Sequence, residues 1–379
     1  MKIASAQLFP IRLMFRHLLT NAQQVIRERS GVLVRLTSDA GREGWGEASP
    51  FPGFGLESVE DARRSLEVGT KELLGHEIDR EAASDLAMDD ACPSARGALE
   101  SALLDLAARA RGETLRSLLS DASRPAVDVI ECNALIAASG VDAVEREASA
   151  AQSGGFQTFK MKVGALGLNQ DVARIRRLRD VVGPEAKIRL DANQAFTPET
   201  ALAAIERFAV HEIEYLEQPL AADAIPALAA LRATSPVRIA ADESATTEAT
   251  ALRVIDAGAA DVIVVKPSAI GGPLASMRIA RLARRASLDV VVTSMLDGAV
   301  ALGAALQVAA VLAGEGKMPA CGLATSTLFD HDVAVLPPVV DGRVHLSLQP
   351  GIGLDVKRTA LRTCLNTWSK QKCLRNLSN

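Results

Sequence analysis

Six charged side chains interrupt apolar runs. Lys160 and Lys162 lie in "TFKMKV", Asp191 in "KIRLDA", Glu217 in "EYLEQP", Asp242 in "RIAADE" and Lys266 in "DVIVVKP". Strand side chains alternate faces with a period of two, so both ammonium groups of the first run point the same way. Like charges on one face repel, and strand interiors rarely hold lysine. Something of opposite charge must therefore lie nearby. The three acids supply it. Each lies about 25 residues from the next, close to one strand–helix unit, which places them on one rim of neighbouring strands. Three carboxylates converging at low dielectric repel strongly and call for a cation. Oxygen donors without His or Cys suit a hard dication, Mg²⁺ or Mn²⁺, rather than zinc. Lys160 and Lys162 then stand on one side of the metal, with Lys266 across the mouth from them.

Such a set can remove a proton next to a carboxylate. A divalent metal binds the carboxylate oxygens and stabilises the enediolate left behind. A lysine beside another cation and partly desolvated has a lowered pKa and can serve as the base. Single acids at strand ends are often helix N-caps, and Asp191 before "NQAFTPE" and Glu243 before "SATTEAT" fit that reading in part. A lysine at a strand end can also snorkel to the surface. Three acids in successive units, each inside an apolar strand, are not explained that way. Asn193, Glu243 and Ser294 are expected around the site, in contact with substrate or behind the ligands.

The elements that must position these groups follow from periodicity. Strands are expected at "VDVIECNAL", "TFKMKV", "KIRLDA", "EYLEQP", "RIAADE", "DVIVVKP", "LDVVVTS" and "ACGLAT". Amphipathic stretches such as "NQDVARIRRLRDVVG", "TPETALAAIERFAVH" and "TEATALRVIDAGA" lie between them. Continuous runs such as "VIVV" suit strands buried on both faces. Eight strands alternating with helices mean a (β/α) barrel or a doubly wound sheet. No strand is followed by GxGxxG, which argues against a dinucleotide-binding sheet. Residues 1–122 read as an α+β appendage. Its strands are joined by a turn at Asp39–Gly41, and a Gly/Pro loop at Phe51–Ser58 precedes two helical stretches. Residues 123–358 carry the alternating pattern, and residues 359–379 form a tail expected to pack outside or fray. Glu47 reads as structural, while the loop near Phe54 is able to cover a barrel mouth.

Composition narrows the class. Hydrophobic residues make up 48% but aromatics only 3%, so Ala, Leu and Val fill the core, as in helices laid on a parallel sheet. The net charge of −4 gives no polyanion footprint, so nucleic acid is not an expected partner. The longest apolar stretch is too short for a bilayer, and the first residues lack the apolar core of a signal peptide. The five cysteines show no zinc or CxxC spacing, and a reducing cytoplasm is expected.

These motifs resemble the enolase superfamily, muconate-lactonizing-enzyme subgroup. The resemblance rests on "KMK", "RLDAN", "EYLEQPL", "AADES" and "VVKPSAIGG", with "ERSGVLVRLTSDAGREGWGEASP" and "ARGALESALLDLAAR" similar to the family's capping domain. It covers about residues 1–356. It implies an α/β fold, a modified (β/α)7β TIM-type barrel with an N-terminal α+β capping domain. It also implies Mg²⁺ on Asp191, Glu217 and Asp242. Within the subgroup, "GLATSTLFDHDV" and "FPGFGLES" resemble o-succinylbenzoate synthases. Asp330 and Asp332 have the DxD spacing of dipeptide epimerases but fall several residues past the last strand. The implied reaction is dehydration of 2-succinyl-6-hydroxy-2,4-cyclohexadiene-1-carboxylate to o-succinylbenzoate, a step of menaquinone or phylloquinone synthesis. In it Lys162 is the base, Lys266 stabilises charge from the far side and Lys160 assists near the carboxylate. N-acylamino acid racemase, dipeptide epimerase and muconate cycloisomerase share the two-lysine site. A small carboxylate is the expected partner, and the sequence leaves room for a homo-oligomer.

Overall fold

Three long strands open the chain, β1 (Ile3–Thr20), β2 (Val25–Ser38) and β3 (Glu43–Ala48). They form an antiparallel sheet. The expected turn between β2 and β3 closes on Gly41, whose φ of 74° is a conformation glycine adopts without a Cβ penalty. This computed structural model describes residues 1–20, 24–51, 54, 57–79, 83, 86 and 92–362. Two helices cover the sheet. Val59–Glu72 begins with a Ser58/Asp61 capping box, and Pro93–Arg111 ends on the left-handed Gly112. Gly46 lets β3 press directly on the second helix, because a Cβ there would lie 1.8 Å from Ala98 O.

The remaining strands curl into a ring. β5 (Ala134–Ile136), β6 (Thr158–Lys162), β7 (Lys187–Asp191), β8 (Ile213–Glu217), β9 (Ile239–Ala241), β10 (Val262–Val265) and β11 (Asp289–Val292) pair in chain order, all parallel. The segment expected as an eighth strand at "ACGLAT" forms only single bridges, yet these close the ring. On one side Cys321 N donates to Glu131 O at 2.7 Å and Asn133 N donates to Cys321 O at 2.9 Å. On the other, Gly322 N donates to Val292 O at 2.9 Å and Ser294 N to Gly322 O at 3.1 Å. A doubly wound sheet would leave β11 as an open edge, so closure decides for the barrel. Beside it, β4 (Val129–Glu131), β12 (Val339–Val340) and β13 (Arg343–His345) make a small antiparallel sheet.

The barrel floor is plugged. Tyr215, Ala240, Val262, Val264 and Val291 form an apolar cluster of their own. Arg189 is buried beside them, 5.0 Å from the Tyr215 ring centroid, and donates to Ala320 O at 2.6 Å and Glu214 Oε2 at 2.6 Å. The cavity therefore opens at the opposite, C-terminal mouth, the usual place for chemistry in such barrels. Of the expected tail, residues 363–379 lie outside the described residues, as do 52–53 and 55–56 of the Phe51–Ser58 loop.

Candidate active site

Strand register brings the predicted residues together. Lys162 pairs with Asp191 across β6 and β7, and Asp191 with Glu217 across β7 and β8. Asp242 follows β9 and Lys266 follows β10. The helix-cap reading of the acids fails locally. The helices Pro198–Ala209 and Glu248–Asp256 are capped by the side chains of Thr197 and Thr247, which leaves Asp191 and Glu243 out of that role.

The six charges fall into two groups of contacts, one of Lys160, Lys162, Asp191 and Glu217 and the other of Lys266 and Asp242. Lys160 Nζ lies 2.6 Å from Glu217 Oε1 and 2.9 Å from Asp191 Oδ2. Lys162 Nζ donates to Asp191 Oδ2 at 2.7 Å and to Asn193 Oδ1 at 2.6 Å. Lys266 Nζ donates to Asp242 Oδ2. Asn193 Nδ2 donates to Glu243 Oε1 at 3.2 Å, so Glu243 stands behind Asn193 rather than on the pocket wall. β6 and β10 are four staves apart, which sets Lys162 and Lys266 on opposing walls.

Burial and charge compete at each group. Burial alone would raise Asp191, but Lys160 and Lys162 outweigh it and hold the carboxyl well below its usual range. Burial and the charge of Asp191 push Glu217 up to about 7. Burial pushes Asp242 up to about 6 against the pull of Lys266. At Lys160 burial opposes the charge, yet Asp191 and Glu217 together carry the ammonium well above its usual pKa. Lys266 is raised in the same way by Asp242, Glu243 and Glu217. The lowered pKa expected for a site lysine is therefore not found at these two. The reason is that each has carboxylates as direct partners, which favour the charged form.

The donors fit a hard dication by their chemistry. All are carboxylates. Glu217 Oε2 and Asp242 Oδ1 are buried with no hydrogen-bond partner among the described residues, and buried polar atoms are normally paired. As placed, no three acidic, histidine or cysteine side chains among the described residues are gathered closely enough to hold an ion. The ammonium groups stand between the acids instead.

Above these charges opens a cavity of about 910 Å³, counting the solvent at its mouth. Its wall is largely apolar, with Leu19, Ile26, Phe51, Leu135, Met295 and Leu296. Ser294 lines it too, with Oγ 3.0 Å from Thr325 Oγ1. Phe54, from the Gly/Pro loop, places its ring 4.2 Å from Lys266 Nζ. Asp330 and Asp332 do not reach the cavity. Asp330 is exposed, and Asp332 Oδ2 accepts Ala299 N at 2.9 Å, at the start of the helix Ala299–Glu315.

Sequence reasoning missed Gln218. Its buried amide accepts Asp242 N at 3.0 Å and Ser244 N at 3.1 Å, and donates to Ser244 Oγ at 2.7 Å and Leu220 O at 2.9 Å. It fixes the Asp242 loop against β8. Its φ of 39° marks the kind of strained backbone found at functional sites. The only sequence signal was an amide directly after the Glu217 acid.

Comparison with known proteins gives matches across the chain. Residues 143–360 match the family described as "Enolase C-terminal domain-like", and residues 3–105 match "MenC, N-terminal domain". The o-succinylbenzoate synthase of Thermobifida fusca (strain YX) is 40% identical over 212 residues, which are 55% of this chain and 63% of that enzyme. The match thus spans less than two thirds of that relative's length. Muconate cycloisomerase 1 of Rhodococcus opacus is 31% identical over 88% of this chain and 90% of its own. Among solved structures, a dipeptide epimerase from Cytophaga hutchinsonii, complexed with Mg and the dipeptide D-Ala-L-Val, superposes with a TM-score of 0.85. It is 25% identical and covers 96% of this chain and 98% of that one. No helix among the described residues is long and apolar enough to cross a membrane.

Proposed function

The chain belongs to the enolase superfamily, in its muconate-lactonizing-enzyme subgroup, and from that premise we propose that it is a Mg²⁺-dependent o-succinylbenzoate synthase. The reaction is loss of water from 2-succinyl-6-hydroxy-2,4-cyclohexadiene-1-carboxylate. One observation favours this reading over a dipeptide epimerase. Among the described residues lining the cavity, Asp191 is the only carboxylate. A substrate with a free α-ammonium would need an acid of its own in the wall, because burying an unpaired charge is costly. The one pair with suitable spacing, Asp330 and Asp332, is turned away.

Asp191, Glu217 and Asp242 would hold a Mg²⁺ ion, which when bound would supply a Lewis acid for a substrate carboxylate. Lys162 Nζ takes the α-proton. The electron pair released forms the new ring double bond as the C–OH bond breaks, and the ring becomes aromatic. Lys162, now protonated, returns that proton to the departing hydroxyl, so the balance is one water lost and the base regenerated. Lys266 holds negative charge from the opposite wall through its ammonium group. Lys160 does so beside the carboxylate, and Asn193 orients Lys162 through its 2.6 Å hydrogen bond. With Lys162 neutral as the base, the ammonium groups of Lys160 and Lys266 and a bound dication would together outweigh the three carboxylates. That suits a substrate with two carboxylates.

The opposed lysines also support a second reading, an N-acylamino acid racemase, in which each lysine serves one face of the substrate. An acyl group removes the ammonium charge, so the same wall suffices. Turnover of the cyclohexadiene acid, measured beside N-acylamino acids and dipeptides in D₂O, separates the two. The expected result is fast dehydration with no inverted, α-deuterated amino acid. Inversion with deuteration and no dehydration would replace the lyase by the isomerase.

A further inference from the structure

One buried cation takes no part in the chemistry above. Arg29, on β2 of the capping unit, is 3% exposed and spends its guanidinium on three backbone carbonyls from two separate segments. Nε donates to Leu296 O at 3.1 Å and Nη1 to Pro50 O at 3.1 Å, and Nη2 donates to Ser49 O. The same group lies 4.7 Å over the Phe51 ring. Phe51 and Leu296 both line the cavity, one from the capping unit and one from the loop after β11. Leu296 has a φ of 57°, a left-handed conformation that a side chain with a Cβ resists. Its carbonyl is the one that Arg29 Nε grips.

The surroundings fix the guanidinium in turn. Asp297 and Glu47 are the acids whose charge acts on it. Asp297 Oδ2 accepts Ser268 Oγ at 2.9 Å and Met295 N at 2.9 Å, which joins the β11 loop to the turn two residues beyond Lys266. Glu47 accepts Gly298 N at 2.8 Å and Ala301 N at 3.1 Å, anchoring the start of the next helix. The cluster thus spans the seam between the capping unit and the barrel, directly behind the pocket wall.

We infer that Arg29 is a positioning residue for substrate. By tying Ser49–Phe51 to Leu296 it holds the two walls of the cavity at a fixed separation and so sets the space available to the substrate's side arm. This rests on the lyase reading above for the identity of that substrate. Only a planar fork with several donors serves three carbonyls at once. A lysine keeps the charge but offers a single nitrogen.

The test compares wild type, Arg29→Lys and Arg29→Gln on the cyclohexadiene acid. In Arg29→Lys, KM is expected to rise about tenfold while kcat stays within about threefold, the signature of lost binding common to ground and transition states. Mg²⁺ affinity by calorimetry and the melting temperature should stay close to wild type. Added guanidinium ion should lower the KM of Arg29→Gln and leave that of Arg29→Lys unmoved. Amide exchange at Ser49, Phe51, Met295 and Leu296 should quicken together in both variants, with the rest of the barrel unchanged. An unmoved KM, or a parallel loss of kcat, metal affinity and melting temperature, would overturn the inference. So would unfolding of both variants, which would assign Arg29 to the fold alone. If wild type itself fails to turn over this acid, the lyase reading falls, and amide exchange alone then decides on Arg29.

Discussion

Glu100 accepts the backbone N–H of Leu274 at 2.6 Å. The first residue lies in the capping helix Pro93–Arg111 and the second in the first turn of the barrel helix Pro273–Arg285. A carboxylate at a helix N-terminus is favoured by the exposed N–H groups and the helix dipole. Here it also joins the two units beside the turn that follows Lys266. Its other oxygen has no hydrogen-bond partner among the described residues.

That arrangement predicts a pH-dependent stability. Burial pushes Glu100 up to about 7 from the usual 4.5, against the Leu274 N–H and the charges of Arg96 and Arg278. Between those values the folded chain holds a proton that the unfolded chain has released. Stability from this group therefore falls as pH rises through that window, by about 1.4 kcal/mol per pH unit at most, and levels off above about 7. Glu100→Gln should flatten the curve and gain stability at pH 8. Urea midpoints between pH 5 and pH 8 measure it, and equal slopes in both proteins would contradict it.

Lys162→Ala should lower kcat by at least about 100-fold, the usual cost of losing a positioned base, with the fold intact by circular dichroism. Turnover near the wild-type rate would remove Lys162 from the role of base.

Asp242→Asn should abolish saturable Mg²⁺ binding in calorimetry, because a neutral amide replaces one of three charged donors. The amide keeps nearly the same shape, so Gln218 retains its bond to the Asp242 backbone. Undiminished metal titration would argue against a three-carboxylate site.

Gly46→Ala should destabilise the capping unit by about 3 kcal/mol, the upper range for overpacking. The added Cβ meets Ala98 O at 1.8 Å, a backbone atom that cannot swing aside. A melting temperature equal to wild type would show that the strand can retreat from the helix.

Much of the charged cluster at the barrel mouth was legible because its cause is local. Lys160 and Lys162 share a face by the pleat of one strand, and Asp191, Glu217 and Asp242 recur with one strand–helix unit. Other parts were not legible. Arg29 acts on backbone carbonyls of Ser49, Pro50 and Leu296, and carbonyls leave no mark in a sequence. Gln218 works through backbone N–H groups 24 and 26 residues away. Asp332 looked like half of a DxD pair until the start of the helix Ala299–Glu315 claimed it. Lys160 and Lys266 are raised rather than lowered because their direct partners are carboxylates, a fact of contact rather than of order along the chain.

The amino-acid order by itself determined which strand ends carry charge and of which sign, since a two-residue pleat and a repeating unit act over short distances. Only the tertiary structure decided that the staves close into a ring. That closure hangs on bonds from Cys321 and Gly322 to segments near residues 131 and 292, which no local pattern specifies. Because the ring has eight staves, Lys162 and Lys266 end on opposite walls, and a molecule lodged in the cavity between them would meet an amine on each face.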